Sequence, residues 1–158
     1  MLSRSSVIAG FLLVISSSRL FADGGLVTKP SRYTVQETIE KFETAIKSKA
    51  SAGWVVFSRI DHAAAAKQAG LEMRPRTVII FGNPRAGTPP MTKSATLAID
   101  LPLKALVWQD DQDKVWLTFN SSQYGARQIY PRHGLTVPDE AAGMLEKFLA
   151  EVSDQSTQ

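Results

Sequence analysis

Two amphipathic helical stripes, one early and one late in the chain, constrain most strongly what this sequence can fold into. Ile39, Phe42, Ala45, Ile46 and Ala50 recur at helical spacing after Val35, and Ala141, Leu145, Phe148, Leu149 and Val152 repeat the pattern near the C-terminus. Each stripe has to bury its apolar side against something flat. The surfaces on offer are short β-rich runs at 54–60, 77–81, 103–108 and 115–119, with another at 26–29 ahead of the first helix. In order the elements read strand, helix, four strands, helix. This predicts an α+β fold, an antiparallel sheet of about five strands carrying both long helices on one face.

Local signals punctuate these elements. Thr34 and Glu37 have capping-box spacing, Lys47 and Lys49 suit the negative end of the first helix, and Gly53 is a natural exit from it. Asp61 caps a short alanine-rich helix that Gly70 closes. Asp110-Asp111-Gln112-Asp113 makes a polar turn, so the last two strands form a hairpin with Trp108 and Trp116 paired across it. Ser121 and Ser122 cap a short helix over 122–130, and Pro138 pre-sets the first turn of the last helix. Residues 153–158 read as a polar tail with little reason to be ordered.

The chain opens with Arg4, an apolar stretch from Val7 to Ile15 and a polar run ending in Leu20-Phe21-Ala22, the pattern of an export signal cut after Ala22. That apolar stretch falls well short of the ~20 residues a spanning helix needs, so no stable membrane insertion is expected after cleavage. The division is then a signal at 1–22, one domain at 23–152 and the tail, in a periplasmic or secreted protein. The chain has no cysteine, which leaves the core to hold the fold by itself and excludes thiolate chemistry. A pI near 9.3 suggests a polyanion partner. However, two of the 18 basic residues leave with the signal, and the rest nearly balance 15 acidic ones, so nucleic acid is not an expected partner.

Chemistry-bearing residues are few. His62 and His133 are the two imidazoles, the side chains best suited to proton transfer near neutral pH, but no spacing puts two metal ligands on one element. Gly82 to Thr88 has the glycine spacing of a phosphate-binding loop without its lysine, and Pro89-Pro90 removes donors an anion would need. The segment is therefore expected to be a long loop that Gly82 and Gly87 let turn and Asn83-Pro84 and Pro89-Pro90 stiffen, in which Arg85 can wall a pocket. Asp100, ahead of Leu101-Pro102, is expected to cap a turn, with a cleft-facing role as the alternative. No G-x-S-x-G elbow marks a nucleophile.

Several motifs occur in a fixed order: Asp61-His62-Ala63-Ala64, Val78-Ile79-Ile80-Phe81-Gly82-Asn83-Pro84, Asp100-Leu101-Pro102-Leu103-Lys104 leading into Ala105-Leu106-Val107-Trp108, and Tyr124 to Leu135 with Arg132-His133-Gly134. Together they resemble the bacterial family called domain of unknown function 302, over roughly Gly25 to Leu135. The resemblance implies a curved sheet similar to that of the TATA-binding protein fold, and fold alone does not carry function. The favoured function is a non-enzymatic exported domain, without cofactor or metal, that binds a small molecule or a partner protein and forms a homodimer through its sheet. The alternative is a periplasmic enzyme or a metal- or haem-binding redox accessory protein, whose site gathers His62, Asn83, Arg85, Asp100 and His133.

Overall fold

The computed structural model of the protein describes residues 21–158, with side chains from residue 24 on. The expected signal therefore lies almost wholly outside the described residues. A cut after Ala22 falls inside the first strand, β1 (Phe21–Asp23).

The expected elements appear in the expected order, with one unexpected helix, α3, among them: β2 (Leu26–Ser31), α1 (Val35–Lys47), β3 (Val55–Asp61), α2 (His62–Gln68), β4 (Arg76–Gly82), α3 (Pro84–Lys93), β5 (Leu103–Gln109), β6 (Val115–Asn120), α4 (Ser122–Tyr124) and α5 (Asp139–Thr157). Among the described residues the strands form one antiparallel sheet in the order β1-β2-β6-β5-β4-β3, so the anticipated five are joined by the three-residue β1 at one edge. β4, β5 and β6 alternate buried with half-buried positions. On the buried face Ile79, Phe81, Ala105, Val107, Leu117 and Phe119 meet Ile39, Phe42 and Ile46 of α1 and Leu149 and Val152 of α5. Phe42 stands edge-on to Phe81 with ring centroids 5.2 Å apart, and Trp54 stacks on Phe148 at 3.6 Å. Both helical stripes thus share one apolar surface.

The caps follow from sequence. Thr34 accepts from the Glu37 amide while Glu37 reaches back to Thr34, completing the capping box, and Asp61 accepts from the Ala64 amide. Gly53, at φ 93°, turns the chain out of a 3₁₀ turn over Ala50–Ala52, and a Cβ there would press on the Asn83 side chain.

Two expectations fail. The 82–90 segment is not a stiff loop but the start of α3: Asn83 is its N-cap and Pro84 its first residue, where a missing amide costs nothing. Pro89 and Pro90 lie inside the helix, and the residues whose carbonyls thereby lose an amide partner, Arg85 and Ala86, are exposed. Nor are residues 153–158 a loose tail. α5 runs to Thr157, with Ser153, Ser156 and Thr157 buried, because their hydroxyls bond back to carbonyls of their own helix. The short helix expected over 122–130 is α4 followed by a π turn over Gly125–Ile129.

Candidate functional site

Two excursions from the same end of the sheet meet to form the most chemically dense cluster among the described residues. The β4–β5 connection carries α3 and a 3₁₀ turn, Ala95–Ile99, that delivers Thr96 and Asp100. The segment after β6 closes with a second 3₁₀ turn, Pro131–His133, which Gly134 ends at φ 71°. There His133 Nε2 lies 2.6 Å from Asp100 Oδ2, Arg132 Nη2 donates to the same carboxylate at 2.6 Å, and His133 Nδ1 lies 2.8 Å from Thr96 Oγ1. Ser94 Oγ is 3.3 Å from that hydroxyl. The His133 side chain is 6% exposed, Asp100 18% and Arg132 57%.

An ionised carboxylate only accepts, so Nε2 donates to it, and when the ring carries that single proton Nδ1 accepts from the Thr96 hydroxyl. Arg132 Nε also approaches Nε2, at 3.3 Å. With a proton already on Nε2 that contact is not a hydrogen bond, and the shorter one to Asp100 defines the arrangement. The hydrogen bond from His133 comes first among the influences that hold the Asp100 carboxyl below its usual range, ahead of the Arg132 charge, and desolvation works against both. Asp100 therefore does not cap a turn with its side chain. It ties two loops together.

The other sequence candidates do not join this hydrogen-bonded cluster. Asn83 is spent on structure, accepting from the Arg85 amide at 3.0 Å and donating to the Ala52 carbonyl at 2.9 Å. Arg85 lies in the first turn of α3, exposed and without a side-chain partner among the described residues. His62 begins α2, also exposed and with no ring hydrogen bond among the described residues. No group of three or more His, Cys, Asp or Glu among the described residues is placed to hold a metal ion. Sequence reasoning singled out Asp100 and His133 but missed Thr96, which no motif marks. Arg132 was visible only as the neighbour of His133. Chemically, the cluster is a hydroxyl, an imidazole and a carboxylate in series, with a guanidinium open to solvent beside them.

A second feature is the other face of the sheet. Strand register lines up Ile60, Val78, Leu106, Thr118 and Thr28 in one row, and Trp108, Trp116 and Pro30 in the next. Trp108 and Trp116 stack with centroids 6.1 Å apart, and Trp108 Nε1 donates to Thr118 Oγ1 at 2.9 Å. None of these side chains joins the core under α1 and α5.

The family called domain of unknown function DUF302 matches residues 27–152. The chain belongs to that family. A solved structure of an uncharacterized conserved DUF302 protein from Bacillus stearothermophilus superposes with a TM-score of 0.67 at 20% identity, covering 85% of this chain and 99% of that one. At that identity the likeness is one of fold. Curated relatives of this DUF302 chain include the fluoride-specific ion channel FluC 1 of Brucella suis biovar 1 (strain 1330), 40% identical over 153 residues, covering 87% of this chain and 58% of that protein. A channel of the same name from Brucella abortus biovar 1 (strain 9-941) is also 40% identical, with 54% of its length matched. The chain spans a little over half the length of the curated relatives it matches. No helix among its described residues is long and apolar enough to cross a membrane.

Proposed function

We propose that this DUF302 chain is an exported binding domain that works as a homodimer through the open face of its sheet. The observation that carries the reading is that open face. Val78, Ile80, Leu106, Trp108 and Trp116 are apolar and only half-buried, on strands whose other side is fully packed. Strands apolar on both sides belong to sheets covered on both sides. The leader-like sequence before Asp23 supports export. The solvent-open guanidinium of Arg132 beside Asp100 supplies the polar contacts of a ligand site, with Arg85 and His62 the further candidates. In the relatives named as fluoride channels, we propose that conduction belongs to the part this chain does not cover, and that the shared part is a companion domain that binds. The test is light scattering on the purified chain: a mass of two chains that falls to one on dilution is expected, and a single-chain mass at every concentration sinks the homodimer.

The series Thr96, His133, Asp100 favours a second reading, acyl transfer. Thr96 Oγ1 would attack an ester carbonyl while His133 Nδ1 takes the hydroxyl proton. That proton then returns to the departing alkoxide, and water releases the acyl group. Incubation with p-nitrophenyl acetate followed by peptide mass spectrometry decides it. Acetyl on Thr96 that is lost in His133→Ala supports this reading, and an unlabelled Thr96 ends it.

A further inference from the structure

α2 is a helix that covers little, with only Ala63 and Ala66 half-buried. Its sequence, His-Ala-Ala-Ala-Ala-Lys-Gln, is apolar and small along most of its length, yet none of its residues is buried, and its main contact with the sheet is β4. The loop that follows keeps Leu71 65% and Met73 41% exposed. Glu72 between them has no ion-pair partner among the described residues, and the sheet carries two cations in the same condition: Arg76 at the start of β4, and Lys104 on β5, whose ammonium meets only the carbonyls of Asp100 and Pro102. The chain thus has an apolar segment left largely exposed and an apolar sheet face outside the core that α1 and α5 cover.

Resting on the homodimer reading above, we infer that the pairing is reciprocal: residues 62–73 of each copy lie on the open sheet face of the other. Helix on sheet is the layer arrangement that α1 and α5 already use on the opposite face. Alanine side chains let a helix backbone approach a sheet closely, and Leu71 and Met73 fall among Val78, Ile80, Leu106 and the tryptophans. Glu72 of one copy meets Arg76 and Lys104 of the other, a local match of opposite charge at the loop end of a segment that also carries Lys67 in the last turn of α2. A two-turn helix and its loop cover roughly 10 by 25 Å, so two such contacts, both surfaces counted, bury on the order of 1,000 Å², the threshold for a specific interface. Edge-to-edge pairing is the weaker route to a dimer. β3 at one edge is bulged between Val56 and Ser58, and β2, the other edge once the leader is cut after Ala22, carries Pro30, which has no amide to donate; both features discourage strand addition.

The test is complementation between variants of the chain, read as mass by light scattering, with far-UV circular dichroism confirming the fold of each. Leu71→Glu with Met73→Glu spoils the segment, and Leu106→Glu spoils the face; Val78→Lys replaces the latter if Leu106→Glu unfolds. Each variant alone is expected to have half the wild-type mass. An equimolar mixture of the two should recover a dimer, because one intact segment still meets one intact face, and this dimer should dissociate at a higher concentration than wild type. A wild-type monomer overturns both this inference and the homodimer reading. A dimer that survives in either variant overturns the reciprocal docking alone, as in the segment variant it would if the sheets packed face to face, and so do monomeric variants that fail to recover on mixing.

Discussion

The His133 ring makes two hydrogen bonds into the β4–β5 connection, to Asp100 and to Thr96, so the stability of this clasp is tied to the charge of Asp100. The folded-state pKa of Asp100 is depressed. Its contribution is therefore fully present above the unfolded value near ~4 and is lost as pH falls through the lower folded value. Asp100→Asn should lower stability at neutral pH and flatten the acid limb below about pH 4, as read from urea midpoints across pH. A variant with the wild-type acid limb would show that the clasp contributes nothing. In the core, Phe42→Ala removes a fully buried ring from its edge-on contact with Phe81 and should cost about 3 to 5 kcal/mol in denaturant unfolding. Phe42 was legible in sequence because helical spacing marks a face. The clasp was legible only in part. Asp100 and His133 stood out as rare residue types within ordered motifs, whereas nothing local distinguishes Thr96 from other exposed threonines, and its role comes from a contact across 37 positions of sequence.

Periodicity and capping made the long helices and the strands of the sheet readable, since both depend on neighbours a few residues away. α3 was not readable for the same reason. Its two internal prolines argue locally against a helix, and only the Asn83 cap and Pro84 at the first position argue for one. The pairing of α1 with β3 adds an ionic link that sequence did not suggest. Glu43, buried on α1, accepts from Arg59 of β3 and lies 3.3 Å from Lys47 of its own helix. The Arg59 hydrogen bond holds the Glu43 carboxyl below its usual range, against the opposing effect of burial. Because Arg59 is itself 38% exposed and Lys47 remains, losing the guanidinium leaves a buried anion only partly compensated. Arg59→Ala should therefore cost about 1 to 2 kcal/mol, well under the full loss expected for an isolated buried pair. Adding Glu43→Gln to that variant should recover much of the loss, since the neutral amide no longer carries the charge. A double-mutant cycle in denaturant unfolding measures this, and purely additive costs would show that the two residues are not coupled.

At the scale of the whole molecule, the two ends of the described chain hold each other. Lys29 of β2 is buried, and its ammonium donates to Ser153 Oγ and Asp154 Oδ1 at 2.7 Å each, while the Arg32 amide donates to the Thr157 carbonyl at 3.1 Å. The family match stops at residue 152, just before both lysine partners, Ser153 and Asp154. A chain ended there keeps the apolar stripe of α5 through Leu149 and Val152 but leaves a buried ammonium without an acceptor. Sequence could not reveal this, because a serine and an aspartate after the last apolar residue read as solvated tail until β2 is known to lie beside them. Truncation after Val152 should lower stability by about 2 to 3 kcal/mol, discounted from the full cost of an unpaired buried charge because Asp154 is 48% exposed and water can enter the opened end. Lys29→Met in the truncated chain should restore part of that loss by replacing the charge with an apolar side chain of similar length, whereas in the full-length chain the same substitution leaves Ser153 and Asp154 without their donor and should be neutral or mildly destabilising. Thermal melts of the four chains separate these terms. If the truncated chain melts with the full-length one, the last turn of α5 is not part of what holds this domain together.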